Sequence, residues 1–420
     1  MKKLIYGFFA LCLSLTLTTC SNLDFTSLLS SSVNELPSIS AKGGTRQFQI
    51  YSAFAWTAES NQSWCTVTPT SGLPGEYTLT VNVAPYEEAN ASSMANPIIK
   101  TRAAAETRTA TITITSLDEK KTIIVTQALP APPKVYVAGG GYDEDNDVYI
   151  AKLWVDGKTT DLWSDGVANS VFVYNKKVYV VGYGLDKTGM NVAKMSIDGG
   201  TPQDLWSCEN GGLVLSVFVY NDKVYVVGKD DGNDAILWVD GKTTKLWDEG
   251  LAVSVYVYSN KVYVAGFAED GSAMLWEDGD SKVLSSNGAA TSVFVQNGKV
   301  YVAGFGYDDY YTKLWIDGTI SDLWEEGIAW SVYAYNGSVY VAGNEGLDIE
   351  SRPILYKDGT RQALKNVEFG AAYSVFVFNN TVYVAGVDNE NYDAILWIDG
   401  VATSLWSNVR SEIVSVFVAE

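Results

Sequence analysis

One short apolar run recurs along most of the chain, and its period limits the possible folds. The run is VYVAG or VYVVG, and it starts at Val135, Val178, Val224, Val262, Val300, Val339 and Val382. A Ser-Val pair recurs at a similar spacing, at Ser170, Ser216, Ser254, Ser292, Ser331, Ser374 and Ser415. A period of roughly 40 residues that contains only strand patterns is the signature of propeller blades.

The unit from Ser292 to Trp330 shows how one repeat is built. It reads as four strands, SVFVQ, KVYVAG, TKLWI and TISDLW, and the tight turns NG and DG join the first pair and the last pair. Asn-Gly and Asp-Gly supply the positive φ angles that a type I′ hairpin needs. Asp-Gly occurs in all seven units, so each unit predicts a four-stranded antiparallel sheet.

The strands of the repeat are apolar at consecutive positions instead of alternating, which indicates burial on both faces. We therefore expect each VYVAG run to be an inner strand between two blades. The region opens with VYVAG and ends with SVFVAE, Ser415–Glu420, so each end supplies part of a unit. The sequence predicts that residues 134–420 form a seven-bladed β-propeller closed by its C-terminal strand, which leaves no free edge. In general shape the repeats resemble kelch-like and related propeller proteins.

Residues 38–128 show a different pattern, with short β-branched and aromatic runs that alternate with period two. Several such strands separated by turn residues predict a β-sandwich. The Pro-rich segment 129–133 is typical of a stiff linker. The predicted fold class is therefore all-β, with a sandwich followed by a propeller.

Particular residues of this first region resemble a BACON domain, a family of Bacteroidetes-associated domains linked with carbohydrate binding. The resemblance rests on Trp56, the run SWCTVTP at 63–69, RTATITI at 108–114 and IVTQ at 124–127. It implies an immunoglobulin-like sandwich, commonly near the N-terminus of envelope proteins that handle glycans. Trp56 and Trp64 are expected in its core, and the domain would then bind a ligand or act as a spacer.

The N-terminus has the features of a processing segment. Lys2 and Lys3 precede an apolar stretch that is too short to span a membrane comfortably. Residues 1–19 resemble a bacterial lipoprotein signal peptide with Cys20 as the lipidated residue, followed by a Ser-rich tether over 20–37. The resemblance implies a protein anchored to the outer membrane through lipid alone, and leaves open whether it faces the periplasm or the cell surface.

Composition narrows the functional classes. The net charge of −20 disfavours nucleic acid and anionic lipid as partners. The chain has no histidine, which excludes Ser-His-Asp and Cys-His catalysis and histidine-based zinc sites. No cofactor is predicted.

Ligand-binding candidates lie on the long loops after VYVAG and on the connections between blades. Scaffold-positioned variable loops are where binding sites usually occur. Aromatic rings can stack on sugar C–H faces while nearby Asp and Asn accept hydroxyl hydrogen bonds. The candidates are Tyr142, Tyr183, Tyr307, Tyr310, Tyr311 and Tyr392 on the loops, and Asn169, Trp330 and Tyr373 just before the inner-strand serines.

These residues favour non-catalytic glycan binding across the long-loop face. The alternatives are a protein-interaction scaffold in an outer-membrane complex, a glycan-active enzyme that uses loop carboxylates, and aromatics that merely pack on neighbouring loops. No acidic residue precedes the inner-strand serines, which disfavours a pair of carboxylates at the axis.

No metal site is predicted. Asp143, Asp145 and Asp147 have the spacing of the first calcium ligands in an EF-hand loop, but Trp154 stands where that loop needs a Glu. They remain a weak candidate.

Overall fold

The computed structural model describes residues 27–86, 107–129, 132–209, 211–308, 310–406 and 411–419, with the backbone alone at 411 and 412. The chain divides into two compact units, Met1–Pro132 and Pro133–Glu420, and the division falls inside the predicted linker. Regular structure in the described residues is all β, and they contain no helix that is long and apolar enough to cross a membrane. The predicted signal peptide and Cys20 lie outside the described residues and stay predictions.

The first unit consists of two four-stranded antiparallel sheets with strand orders β1-β2-β6-β4 and β5-β3-β7-β8. Side chains from both sheets, among them Phe48, Leu79 and Ile112, enter one hydrophobic core. The alternating sequence fits this arrangement, because each sheet has one face in the core and one in solvent. The strands are β1 (Leu29–Ser31), β2 (Gly44–Ser52), β3 (Trp56–Ser60), β4 (Cys65–Thr68), β5 (Ser71–Gly72), β6 (Gly75–Val83), β7 (Thr107–Ser116) and β8 (Glu119–Ala128).

The predicted tether over 20–37 is partly wrong, because its second half belongs to this folded unit. Strand β1 pairs with β2, with Leu29 opposite Ser52. Leu29 and Leu36 are buried in the core. The serines around these two leucines suggested a flexible linker, whereas burial of the leucines and pairing with β2 offset part of the entropy lost when the segment is ordered.

The second unit contains seven four-stranded antiparallel sheets in the described residues. Six sheets follow the chain order, β12-β13-β14-β15 and so on to β32-β33-β34-β35, and the remaining sheet has the order β11-β10-β9-β36. The strands are β9 (Lys134–Asp143), β10 (Val148–Val155), β11 (Lys158–Ser164), β12 (Val167–Tyr174), β13 (Lys177–Leu185), β14 (Asn191–Ile197), β15 (Gln203–Ser207), β16 (Leu213–Tyr220), β17 (Lys223–Lys229), β18 (Ala235–Val239), β19 (Lys242–Trp247), β20 (Gly250–Tyr258), β21 (Lys261–Ala268), β22 (Ala273–Glu277), β23 (Asp280–Ser285), β24 (Ala289–Gln296), β25 (Lys299–Phe305), β26 (Thr312–Ile316), β27 (Thr319–Asp322), β28 (Gly327–Tyr335), β29 (Ser338–Glu345), β30 (Arg352–Lys357), β31 (Thr360–Ala363), β32 (Gly370–Phe378), β33 (Thr381–Asp388), β34 (Asp393–Ile398), β35 (Val401–Trp406) and β36 (Ser411–Ala419).

Each VYVAG run lies in the strand next to the Ser-Val strand of its sheet, and its residues are mostly buried. The tight turns have positive φ at both central positions, for example Asp317 (48°) and Gly318 (80°). The aspartate has a second role, because Asp317 Oδ1 accepts a hydrogen bond from the Val300 N–H at 2.8 Å. The turn residue thus fixes both the hairpin and the adjacent VYVAG strand.

The Ser-Val strands face one another around a common axis. Each contacts the corresponding strand of both neighbouring sheets. These contacts form a closed cycle through β12, β16, β20, β24, β28, β32 and β36. Strand β36 also pairs with β9, with Val416 opposite Val137. The second unit is therefore a β-propeller fold whose four-stranded sheets are the blades. Tryptophans that recur along the propeller, such as Trp154, Trp315 and Trp397, are buried in the cores between sheets.

Candidate functional site

The residue just before each inner-strand serine forms a bulge. In all seven innermost strands the register shifts across this position, as between Ala168 and Ser170 in β12. A bulge redirects a side chain without disturbing the rest of the strand. The seven residues, named here the bulge ring, are Asn169, Leu215, Val253, Thr291, Trp330, Tyr373 and Val414.

The serines form a second ring that joins the sheets. Ser170 Oγ accepts a hydrogen bond from the Val217 N–H of the next sheet at 3.2 Å. The same bond recurs around the axis at 3.1–3.3 Å, until Ser415 Oγ accepts from the Val171 N–H. Each serine oxygen that accepts a backbone N–H still carries its own O–H. Sequence alone singled out this serine only as an alignment marker.

Two residues further along each strand lies a ring of aromatic side chains. Neighbouring ring centroids are 4.4–4.8 Å apart, and their planes are inclined by 41–55°. These angles are close to one seventh of a full turn. The members, named here the aromatic ring, are Phe172, Phe218, Tyr256, Phe294, Tyr333, Phe376 and Phe417.

Burial among these rings changes the acidity of the two tyrosines. It raises the pKa of Tyr256 to about 12 from the ordinary value of 10.0. It also raises the pKa of Tyr333, and the nearby Tyr256 and Tyr335 add to that shift. Both phenols therefore stay neutral throughout the physiological range.

The bulge ring and the serines line a pocket of about 410 Å³, named here the axial pocket. Its volume lies in the usual range for small-ligand sites. The pocket lies where the innermost strands begin, which is the end of the axis on the long-loop side. None of the described side chains that line it is charged.

Trp330 and Tyr373, two of the predicted binding residues, meet in this pocket. Their rings are 5.6 Å apart in an edge-to-face arrangement inclined by 65°. Trp330 Nε1 donates a 2.7 Å hydrogen bond to Asn344 Oδ1, and Asn344 Nδ2 donates to the Gly346 carbonyl at 2.6 Å. Asn344 is buried, so it fixes the orientation of the tryptophan. Sequence reasoning missed Asn344, and its only signal was a polar residue directly after VYVAG.

Asn169, the third predicted residue of this group, also lines the pocket. Its Nδ2 donates to the Val214 carbonyl at 2.7 Å. Thr291, which the sequence did not single out, donates its hydroxyl to the carbonyls of Ala303 and Ala329. Both polar members of the bulge ring are thus held by the backbone.

The loop tyrosines are not gathered at the axial pocket. Tyr142 lines a separate open cavity of about 690 Å³ beside Lys152, Asp161 and Trp406, and its hydroxyl donates to Asp147. Tyr183 is half-buried and packs against the core beside its own sheet.

The other four loop tyrosines each have different neighbours. Tyr307 packs edge-to-face on Phe305 at 5.4 Å, and burial raises the pKa of its phenol. Tyr311 donates its hydroxyl to Glu325. Tyr310 and Tyr392 are the exposed ones, at 51% and 56%. The loops therefore spread their aromatics over the surface.

The aspartates of the first long loop stabilise a turn. Asp143 Oδ1 accepts hydrogen bonds from the backbone N–H groups of Asp145 and Asn146, and these bonds, together with that from the Asn146 side chain, hold the pKa of Asp143 below its usual value. Across the described residues, no three His, Cys, Asp or Glu side chains come together as a metal site. Asp143, Asp145 and Asp147 are accordingly not assembled as three ligands.

Comparison with known proteins gives one family match. The family described as "BACON: Putative binding domain, N-terminal" matches residues 54–91. Within that stretch Trp56 is buried, as expected, and Trp64 packs against the core with the Arg108 guanidinium 4.1 Å from its ring centroid. A search of curated proteins found no match.

Several solved structures are similar to parts of the chain. The β-propeller domain of the Trilobed protease from Pyrococcus furiosus is 12% identical with a TM-score of 0.44, and the match covers 66% of this chain and 95% of that one. A quinonprotein alcohol dehydrogenase-like protein from Bacteroides thetaiotaomicron is 11% identical with a TM-score of 0.40, covering 91% and 97%.

A GH5 xyloglucanase from Bacteroides ovatus, solved with a XXXG heptasaccharide, is 24% identical with a TM-score of 0.18. That match covers 24% of this chain and 19% of the enzyme, so this chain spans about a fifth of its length. At these identities and TM-scores, the propeller assignment rests on the strand topology of the chain itself. The chain thus carries a BACON domain match at residues 54–91, followed by a β-propeller fold.

Proposed function

We propose that this protein binds a glycan without catalysis, in the axial pocket on the long-loop side of the propeller. One observation carries the proposal: Trp330, Tyr373 and Asn169, chosen from sequence, line the same pocket. They come from three different blades, so only a ligand on the axis touches all three.

The chemistry of the pocket suits a neutral sugar. The aromatic pair offers ring faces and edges to sugar C–H groups. Serine O–H groups and the Asn169 Oδ1 can exchange hydrogen bonds with sugar hydroxyls. Because none of the described lining side chains is charged, the pocket has no pair of carboxylates for glycoside hydrolysis, which supports binding over catalysis.

The proposal includes the architecture and location inferred from sequence. The first unit is an immunoglobulin-like sandwich, and the second is a seven-bladed propeller of kelch-like type closed by β36. The protein is a lipoprotein anchored by Cys20 to the outer membrane of a bacterium. In chain order the sandwich then lies between the lipid anchor and the propeller, and the propeller captures polysaccharide or host glycan.

A glycan array tests the proposal. The probe is the chain from residue 20 onward with Cys20→Ser, so that it is soluble. It is compared with the double variant Trp330→Ala/Tyr373→Ala and with a matched control, Tyr310→Ala/Tyr392→Ala, which removes two exposed loop tyrosines outside the pocket. We expect the parent and the control to bind the same glycans and the pocket variant to lose them.

Two outcomes would contradict the proposal. Loss of binding in the loop control alone would move the site to the long loops. No binding by the folded parent, checked by its thermal transition, would favour the second candidate, a protein-interaction scaffold. That candidate has one observation in its favour: Leu347 and Ile349 on the loop after β29 are 50% and 79% exposed, and exposed apolar side chains close together are typical of protein contacts.

A further inference from the structure

We propose that the axial pocket holds the end of a glycan chain, one uncharged terminal sugar, and not an internal stretch of polymer. This inference rests on the proposed glycan-binding function and adds the class of ligand. It follows from three features of the pocket, namely its depth, its wall and its charge.

The aromatic ring lies below the pocket along the axis. The aromatic ring stands two residues beyond the serines on the same side of each strand, which places it about 7 Å deeper along the axis. Its members contact one another all the way around, at centroid separations of 4.4–4.8 Å. No aromatic-ring member lines the pocket, which ends at the level of the serines and the bulge ring. The cavity therefore occupies only the long-loop end of the axis.

The wall of the pocket is continuous. The innermost strands of all seven sheets contact their neighbours in a closed cycle. The serine-to-backbone hydrogen bonds join each pair of neighbouring innermost strands. An internal stretch of polymer needs a groove that is open at two sides, whereas the innermost strands surround this pocket on all sides. A linear chain that enters from the long-loop side therefore reaches the serines with its terminus first.

The lining selects a neutral terminus. A buried carboxylate without a charged partner is strongly disfavoured, and none of the described lining residues could supply that partner. In the cyclic order, Leu215 lies opposite the pair formed by Trp330 and Tyr373, with Val253 beside it. A sugar held between an aromatic and an aliphatic wall presents two apolar faces, with its hydroxyls directed to the serines, Asn169 and Thr291.

Calorimetric titration with linear oligosaccharides tests this inference. The soluble full-length mature chain with Cys20→Ser is titrated with cello-, xylo-, manno- and malto-oligosaccharides of one to eight units. Oligogalacturonides of the same lengths are the charged comparison. The measured quantities are the dissociation constant and the number of protein molecules bound per glycan chain.

We expect one protein per chain at every length, with a dissociation constant that changes less than threefold beyond three units. We also expect at least tenfold weaker binding of the oligogalacturonides, and at least tenfold loss in Leu215→Trp, which fills the pocket from the wall opposite the aromatic pair. A protein count that rises with chain length would overturn end recognition and leave the glycan-binding function intact. Tighter binding of oligogalacturonides would overturn the neutral ligand class. A folded parent that binds none of these probes and no glycan on the array would reject the function itself.

Discussion

At the scale of single residues, the propeller uses two adjacent positions of each innermost strand for two purposes. The invariant serine joins neighbouring sheets through its oxygen, while the residue before it varies from unit to unit and points into the axial pocket. A buried polar group that loses its partner costs the free energy of desolvating it. The roles of Ser170 and Asn344 as hydrogen-bond acceptors can therefore be tested by substitution.

Replacing Ser170 by Ala should destabilise the propeller by about 1–3 kcal/mol, because the Val217 N–H loses its acceptor in a buried setting. The free energy of unfolding from urea titration measures the effect. Ser321→Ala, on the exposed strand β27 of the propeller, is the matched control and should change stability by less than about 0.5 kcal/mol. Equal effects in the two variants would show that the serine ring does not join the sheets.

Replacing Asn344 by Ala should weaken glycan binding, because Trp330 Nε1 then loses its acceptor and the indole is free to turn. We expect roughly a tenfold loss of affinity, about 1.4 kcal/mol. Asn389→Ala is the control, since Asn389 is a half-buried asparagine on the same face that donates to the Ile349 carbonyl and does not line the pocket. Unchanged affinity in Asn344→Ala, with a normal thermal transition, would remove Asn344 from the site.

At the scale of strands, the seven innermost strands act together through the aromatic ring. Five of its members are phenylalanine, so Tyr256 and Tyr333 are the members that can ionise. A folded-state pKa above the unfolded value means that the native state holds the proton longer. Stability from these two groups is then complete below pH 10 and is lost as the pH rises toward 12 and beyond.

The double variant Tyr256→Phe/Tyr333→Phe should therefore reduce the alkaline loss of stability. We expect the parent to lose on the order of 5 kcal/mol more than the variant between pH 9 and pH 12, because both phenols contribute. Unfolding by urea at a series of pH values measures this difference. Part of the slope should remain, because Tyr136 and Tyr179 also have raised pKa values through burial. Identical pH profiles would mean that the two phenols are solvated in the folded protein.

At the scale of the whole molecule, closure of the ring depends on one strand from the far end of the repeat region. Strand β36 pairs with β9 and supplies Ser415 and Phe417, so it contributes to a sheet, to the serine ring and to the aromatic ring. Its removal exposes the edge of β9 and interrupts all three. An open edge is also a template for aggregation.

A chain that ends at residue 410 should be destabilised by several kcal/mol and should aggregate on heating. Thermal unfolding and light scattering measure both effects. A synthetic peptide of residues 411–420 added to the shortened chain should restore part of the thermal stability, whereas a scrambled peptide should not. Full stability of the shortened chain would contradict closure by β36.

The sequence by itself determined the all-β class, the repeating unit, the tight turns and the pairing of the two chain ends of the propeller. These are properties of local pattern: apolar period, turn chemistry at Asp-Gly and Asn-Gly, and order of the runs. Local pattern also misplaced the start of the first unit, because nothing in the Ser-rich segment shows that Leu29 has a buried partner.

Only the tertiary structure decided which candidate residues lie together. Trp330, Tyr373 and Asn169 meet because a bulge in each innermost strand turns one side chain toward an axis shared by all the blades. Tyr310 and Tyr392 look equally suitable in sequence, yet their loops place them on the open surface. The direction of a side chain depends on strand register and on closure of the whole ring, which are long-range properties that no single repeat specifies.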